Sequence, residues 1–399
     1  MNPSRPPVSP AFVSDVRVPW KAVFLILAVQ LVWLITPALA FHFFGFQHER
    51  YRSNAFVYPE VKQVEWPLAY QTWDTSHFLF LADRGYVPLG APGSRVVRGQ
   101  TMFPLYAYSL RLIRLVFGSP AVLPGGLLLS NLFSFFACCY LFKLAAAGYG
   151  ETTALRALGY GLVFPTAFYA GRVYSESLFL LLAVVFFWCL YKRNLAGASA
   201  LSFLMPFTRL VGVFVAVPLF VFLAEQASQH GKRWYRPTRL WLALLCPLLG
   251  FGCTFLHMKW ATGSWFEYLD AYKLFLADND ISNLLHPVRW FLDNFVYINL
   301  TSYGYTDNLF DRLAFVAYLF LLKDIGKRQG KVYFAYALVF GMVPALSDHF
   351  MSYSRYLFVI FPLFIQMALN DFRHRIMYGV LFTGQLVLHA AHSLGYWVG

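Results

Sequence analysis

The stretch TWDTSHFLFLADRGY, Thr72 to Tyr86, places two aspartates, a histidine and an arginine in a chain that is 59% hydrophobic. If residues 75–85 are helical, Asp74, His77 and Phe78 share a face, because side chains three and four apart are neighbours. A carboxylate and an imidazole one turn apart can pass a proton. Asp74 also suits the cap of a short helix that Gly85 ends, and the two roles are compatible. Trp73, just before it, is a residue type that favours the headgroup level of a bilayer.

Three further stretches carry charge between apolar runs. FPTAFYAGRVYSESLF, 164–179, sets Arg172 and Glu176 opposite each other across a tight turn. A plainer reading has Ser175 capping a helix and Glu176 complementing its dipole. MPFTRLVG, 205–212, interrupts two short apolar halves with Arg209 at the tip. Interrupted spans often build ligand sites at membrane depth, and the plainer reading is a proline-associated turn with a snorkelling arginine. SDHFMSYSRYLFVIFPLFI, 347–365, ends one apolar run at Asp348 and His349 and begins the next at Arg355 and Tyr356. Tyr353 and Tyr356 suit an aromatic belt. An arginine on the outer side runs against the positive-inside bias and calls for an anionic partner. A lipid phosphate fits, because a guanidinium binds it through two parallel hydrogen bonds.

The elements that must hold these residues follow from composition. Soluble domains are about 45–50% apolar and about 25% charged; this 399-residue chain is 59% and 13%, with 20% aromatics. That composition predicts an all-α polytopic membrane protein. Apolar runs place about eleven spans, near 22–45, 121–142, 153–169, 175–191, 197–208, 210–224, 239–257, 309–322, 332–347, 355–370 and 376–396. The net charge of +13 is explained by basic loops held on the cytoplasmic side, with no nucleic-acid partner required. Lys192–Arg193, the 230–239 and 323–331 tracts and Arg373–Arg375 define that side, with residues 1–21 as a cytoplasmic tail. The run Ala22–Phe44 ends in a motif like a signal-peptide cleavage site but is longer than such a region, so it reads as a retained first span. The whole of 1–399 then forms one transmembrane domain with two long external segments, 46–120 and 258–308. Within the first, FPLYAYSLRLIRLVFG, 103–118, reads as a helix lying in the interface, apolar side down and Arg111 and Arg114 up. Most of the 19 acidic residues fall on the external side. The five cysteines sit in apolar stretches, which argues against a disulfide framework or a thiolate metal site.

In order, WDTSHFLFLADRGY, FPLYAYSLRLI, FPTAFYAGRVYSESLF, FTRLVG and SRYLFVIFPLF resemble the motifs of the PIG-V family, the GPI mannosyltransferase II-like enzymes and their prokaryotic relatives. The resemblance runs from about 72 to 365 and implies a GT-C type fold. It implies an inverting transfer of a sugar, mannose in the family, from a polyprenyl-phosphate donor to a glycolipid or cell-surface glycan acceptor on the non-cytoplasmic face. It also maps Asp74 as the base, with His77 orienting the acceptor or the leaving phosphate. Arg355 with Tyr356, and Arg209 as a second candidate, would hold the donor phosphate. Glu176 would bind a sugar hydroxyl or orient Arg172. Trp73, Asp83 and His349 are acceptor-side candidates. FTRLVG departs from relatives that have an alanine before the Thr or Ser, which leaves the acceptor open.

No metal ligand set is assigned. Asp278 and Asp280 have the D-x-D spacing of metal-dependent sugar transfer, so a divalent cation is compatible with the chemistry without being predicted, but the spacing is common by chance and the plainer reading of the pair is a helix cap or turn. The chain is expected in a prokaryotic plasma membrane with its site external, or in the ER membrane if eukaryotic, among membrane lipids and with room for a partner subunit. The rival classes are a transporter or lipid flippase, which tends to show inverted repeats and mid-membrane charges, and a non-catalytic subunit of the same fold.

Overall fold

A computed structural model describes residues 16–47, 51, 56–59, 65–89, 101–229, 238–275, 286–297, 309–346, 350 and 352–398. Within them the chain forms sixteen α-helices and no strand. In chain order these are α1 (Trp20–Phe43), α2 (Asp74–Arg84), α3 (Pro104–Phe117), α4 (Val122–Tyr149), α5 (Glu151–Val163), α6 (Glu176–Tyr191), α7 (Leu195–Leu204) and α8 (Ala216–Gln229). They continue as α9 (Thr238–Thr262), α10 (Glu267–Phe275), α11 (Pro287–Phe291), α12 (Leu309–Arg328), α13 (Lys331–Ala345), α14 (Tyr353–Phe358), α15 (Pro362–Leu369) and α16 (His374–Ser393).

Four described segments are long and apolar enough to cross a bilayer: Trp20–Phe43, Ser119–Tyr149, Leu210–Ser228 and Trp241–Thr262. Their outer surfaces are apolar. α1 exposes Phe24, Leu31 and Leu39, and α9 exposes Leu242, Leu245, Leu248 and Leu249. Continuous apolar surface of this kind belongs against lipid rather than water. The chain is a helical membrane protein.

Two of the expected spans are not continuous helices. The run 153–169 stops being α-helical at Val163, because Pro165 biases Phe164 out of the helical region, and Phe164 sits at φ −56°, ψ 137°. The last carbonyls of α5 do not go unpaired: Gln385 of α16 donates to the carbonyls of Leu162 at 2.9 Å and Phe164 at 2.7 Å. The run 355–370 is two short helices, α14 and α15, with Pro362 starting the second where its missing N–H costs no bond. Nearly every side chain from Tyr353 to Ala368 is buried. This segment is the centre of the bundle, and a broken helix is tolerated at membrane depth only when protein surrounds it. The segment 103–118, expected as an interfacial helix, is helical as α3. It buries Tyr106, Ala107 and Leu110 against α2 and α4 and exposes Leu112, Leu115, Val116 and Phe117.

The bundle has two chemically different ends. At one, Tyr149 bonds the Arg328 carbonyl at 3.1 Å, Arg328 bonds the Leu369 carbonyl at 2.8 Å, and Tyr160 meets His374 at 2.6 Å, so the basic connections gather there. The other end is set by the start of α6, 16 residues and about 24 Å of helix away. Trp73 and Gln47 bond the carbonyls of Tyr396 and Leu394 there.

Candidate functional site

The second end holds four buried or nearly buried charges. Glu176, 1% exposed, is the first residue of α6. Its Oε1 accepts from Arg355 Nη2 at 2.6 Å and Nε at 3.1 Å. Arg209 Nη1 stands 3.0 Å from the same oxygen, close enough to pair but without an aligned hydrogen bond. Oε2 of Glu176 is buried and has no hydrogen-bond partner among the described residues. Arg355 Nη2 also donates to Asp74 Oδ2 at 3.0 Å, so one guanidinium joins two carboxylates. Asp74, Arg209 and Arg355 keep 15%, 13% and 8% of their side chains open, so a ligand can touch these three while Glu176 stays closed off.

Each member is placed by a device that the local sequence encodes. Asp74 begins α2, and the residue before it, Trp73, holds φ 56°, ψ −123°, a region that side-chain-bearing residues rarely enter. Three residues before Arg355, Ser352 holds φ 60°. Conformations of this type cost about 1–3 kcal/mol each and persist where surrounding structure over-determines them. The indole N–H of Trp73 donates to the Tyr396 carbonyl at 3.0 Å, and its ring stands edge-on to Tyr51 and Trp397. Ser354 donates its backbone N–H to Asp311 Oδ1 at 2.7 Å, tying α14 to the first turn of α12. Arg209 sits at the tip of the α7–α8 hairpin between two 3-10 turns, and its guanidinium carbon lies 4.8 Å from the Tyr356 ring centre. That turn is tight because a Cβ on Gly212 would meet the Met205 carbonyl at 2.4 Å.

The structure therefore brings together Asp74, Glu176, Arg209, Arg355 and Tyr356. It separates others. Arg172 does not face Glu176. It is 1% exposed and donates to the Ala69 carbonyl at 2.8 Å, Thr72 Oγ1 at 2.6 Å and Ser393 Oγ at 3.3 Å. The two residues are four apart, but α6 starts only at Glu176, and Arg172 is extended at φ −98°, ψ 170°. Arg172 braces the loop that leads into Asp74. Glu176 correspondingly orients Arg355 and Arg209, not Arg172.

The acceptor-side candidates fare differently. Trp73 is 5% exposed, a plug between α2 and the C-terminal residues. Asp83 sits at the far end of α2, bonded to Tyr58, to Arg114 at 2.5 Å and to Ser119 at 3.2 Å. His349 lies outside the described residues. His77 is buried, with its ring stacked on Phe56 at 5.0 Å. Asp74 is the first helical residue, Trp73 occupies the cap position, and Ser175 caps nothing with its side chain. Among the described residues no three His, Cys, Asp or Glu side chains gather as a metal site; Asp278 and Asp280 lie outside them.

Sequence reasoning missed Asp311, Tyr169 and Tyr174. The guanidinium carbon of Arg355 lies 4.5 Å from the Tyr169 ring centre and 5.0 Å from that of Tyr174. The two tyrosines flank Arg172 in YAGRVY, an arginine among aromatics in an apolar run, and that was the available signal. Chemically the arrangement offers two carboxylates, one carrying an unpaired buried oxygen, and two guanidinium groups able to take an anion. No protein-family model matches the chain, and no curated protein matches it.

Proposed function

We propose that the chain is an inverting glycosyltransferase that moves a sugar, mannose by the motif resemblance, from a polyprenyl-phosphate donor to a lipid-linked or cell-surface glycan. In this reading it has a GT-C type fold of about eleven spans, with its site on the non-cytoplasmic face, opposite the basic connections. The observation that carries the reading is the single guanidinium of Arg355 shared between Asp74 and Glu176, with Arg209 beside it.

The chemistry follows from that sharing. A donor phosphate at headgroup level competes with Asp74 for Arg355. As Arg355 turns to the phosphate, Arg209 remains 3.0 Å from Glu176, so the buried carboxylate is not left unpaired. Asp74 is then free to act as base. The acceptor oxygen attacks the anomeric carbon, and the bond from that carbon to the phosphate oxygen breaks, its electron pair leaving with the phosphate. The acceptor proton passes to Asp74. Arg355 and Arg209 stabilise the charge growing on the leaving group, an effect of about 3–4 kcal/mol by comparison with an oxyanion-hole donor.

The test is transfer by purified protein in nanodiscs, with polyprenyl-phosphate-mannose and candidate acceptors, with and without EDTA. Formation of a new glycosidic bond, lost in a folded Asp74→Asn protein, supports the reading; full transfer by that variant overturns it. The broken α7–α8 hairpin and the buried break between α14 and α15 also suit a transporter or lipid flippase. Movement of the lipid between leaflets without a new bond would select that alternative, and neither outcome would point to a non-catalytic subunit.

A further inference from the structure

Tyr174 touches both halves of the charged site. It is fully buried in the bend before α6. Its hydroxyl accepts the backbone N–H of Asp74 at 3.2 Å and lies 3.5 Å from the Thr72 carbonyl and 3.3 Å from His392 Nε2. Its ring centre is 5.0 Å from the Arg355 guanidinium carbon. A phenol has one proton to donate and two lone pairs. Thr72 or His392 takes the proton, leaving a lone pair for Asp74. Burial holds this phenol protonated, well above its ordinary range, so the hydroxyl stays a neutral partner at neutral pH.

The Asp74 N–H needs such a partner. It is among the first amides of a helix, which have no acceptor within the helix, and it follows directly on the unusual backbone of Trp73. The ring does a separate job, because a cation over an aromatic face is held without drawing on any acceptor. Arg355 thus keeps its N–H groups for Asp74, Glu176 and an incoming anion.

We infer that Tyr174 is a positioning residue whose hydroxyl fixes the backbone of Asp74, and through it the carboxylate, and whose ring fixes the guanidinium of Arg355, so that the two roles can be separated by substitution. The inference rests on the proposed transfer reaction for its kinetic arm and on lipid-phosphate binding for its second arm.

The experiment compares Tyr174→Phe with Tyr174→Leu, each checked for folding by its melting profile. Tyr174→Phe keeps the ring and loses the hydroxyl. Its kcat should fall about tenfold, the scale of one hydrogen bond, with donor KM within about twofold. Tyr174→Leu loses both, and its donor KM should also rise about tenfold, the scale of a desolvated cation–π contact. Independently of turnover, thermal shift with polyprenyl phosphate should show weaker binding for Tyr174→Leu than for Tyr174→Phe. If Tyr174→Leu cannot be purified folded, Tyr174→Phe alone carries the hydroxyl half through its kcat–KM split. Wild-type kcat in Tyr174→Phe, or equal losses in both variants, overturns the assignment. If the wild type transfers nothing yet binds the lipid phosphate, the transfer reading fails and equal binding by the two variants still overturns this one. If it does neither, both fall.

Discussion

Helix α2 carries one aspartate at each end, and the two do opposite things. Asp74 and Asp83 are nine residues, about 14 Å, apart along it. Asp83 is saturated: Tyr58, Arg114, Arg84 and Ser119 all reach its two oxygens. Asp74 shares its cation with Glu176, a second carboxylate whose other oxygen has no hydrogen-bond partner among the described residues, and it follows a residue at φ 56°. Exposure does not distinguish them, since the side chains are 15% and 17% open. A fully satisfied carboxylate is a clasp between α2 and α3. A carboxylate whose cation is contested is poised to exchange it for a ligand.

The sharpest way to break this comparison is to neutralise both. Asp74→Asn should lower kcat by about 10²–10⁴, the contribution of a positioned general base, whereas Asp83→Asn should keep kcat within about twofold. Initial-rate kinetics on the two variants checks this, and similar losses in both would erase the distinction. The cations supply the next contrast. Arg355→Gln leaves Glu176 buried with only the poorly aligned Arg209, and breaking a buried pair costs about 3–5 kcal/mol. Arg114→Gln, at the clasp, should cost no more than about 1 kcal/mol because both partners are partly open. Denaturation in detergent should rank them in that order.

A smaller effect is expected from backbone crowding beside Arg209. In Gly212→Ala the new Cβ would lie 2.4 Å from the Met205 carbonyl, so the turn must shift. Overpacking of this type costs about 1–3 kcal/mol, and donor KM should rise because Arg209 moves with the turn. An unchanged melting profile together with unchanged KM would show that the hairpin tip is soft and that Arg209 is not held by it.

How much of this was legible in the sequence depends on the range of each interaction. Asp74, Glu176, Arg209 and Arg355 stood out one by one, because a charge in an apolar run needs a reason. Their partners did not. A tight turn was expected to set Arg172 opposite Glu176, but after the 3-10 turn at Ala167–Gly171 the chain is extended at Arg172 and α6 starts only at Glu176. Arg355 meets Asp74 across 281 positions, and Ser354 meets Asp311 across 43, distances over which no periodicity carries information. Membrane character was legible from composition. The broken α14–α15 segment was not recognised as the bundle centre, because a segment apolar on all sides reads the same whether lipid or protein surrounds it.

The finest contrast is the response of the clasp to acid. The Tyr58 hydrogen bond, chiefly, and then Arg114 hold the Asp83 carboxyl below its ordinary value of 3.8, outweighing a partial burial that acts the other way. The folded protein therefore favours the ionised form more than the unfolded chain does. Stability from this source is fully present above the ordinary value and is lost as pH falls through the lower folded one. Melting profiles of the wild type and Asp83→Asn should run parallel from about pH 7 to pH 5 and converge only below about pH 4, by no more than the ~1 kcal/mol of a partly exposed pair. Curves that stay parallel down to pH 3 would mean that the clasp contributes nothing through its charge. Tyr58 and Ser119 would then hold α2 to α3 by neutral hydrogen bonds alone, and the contrast between the two ends of the helix would rest on Asp74.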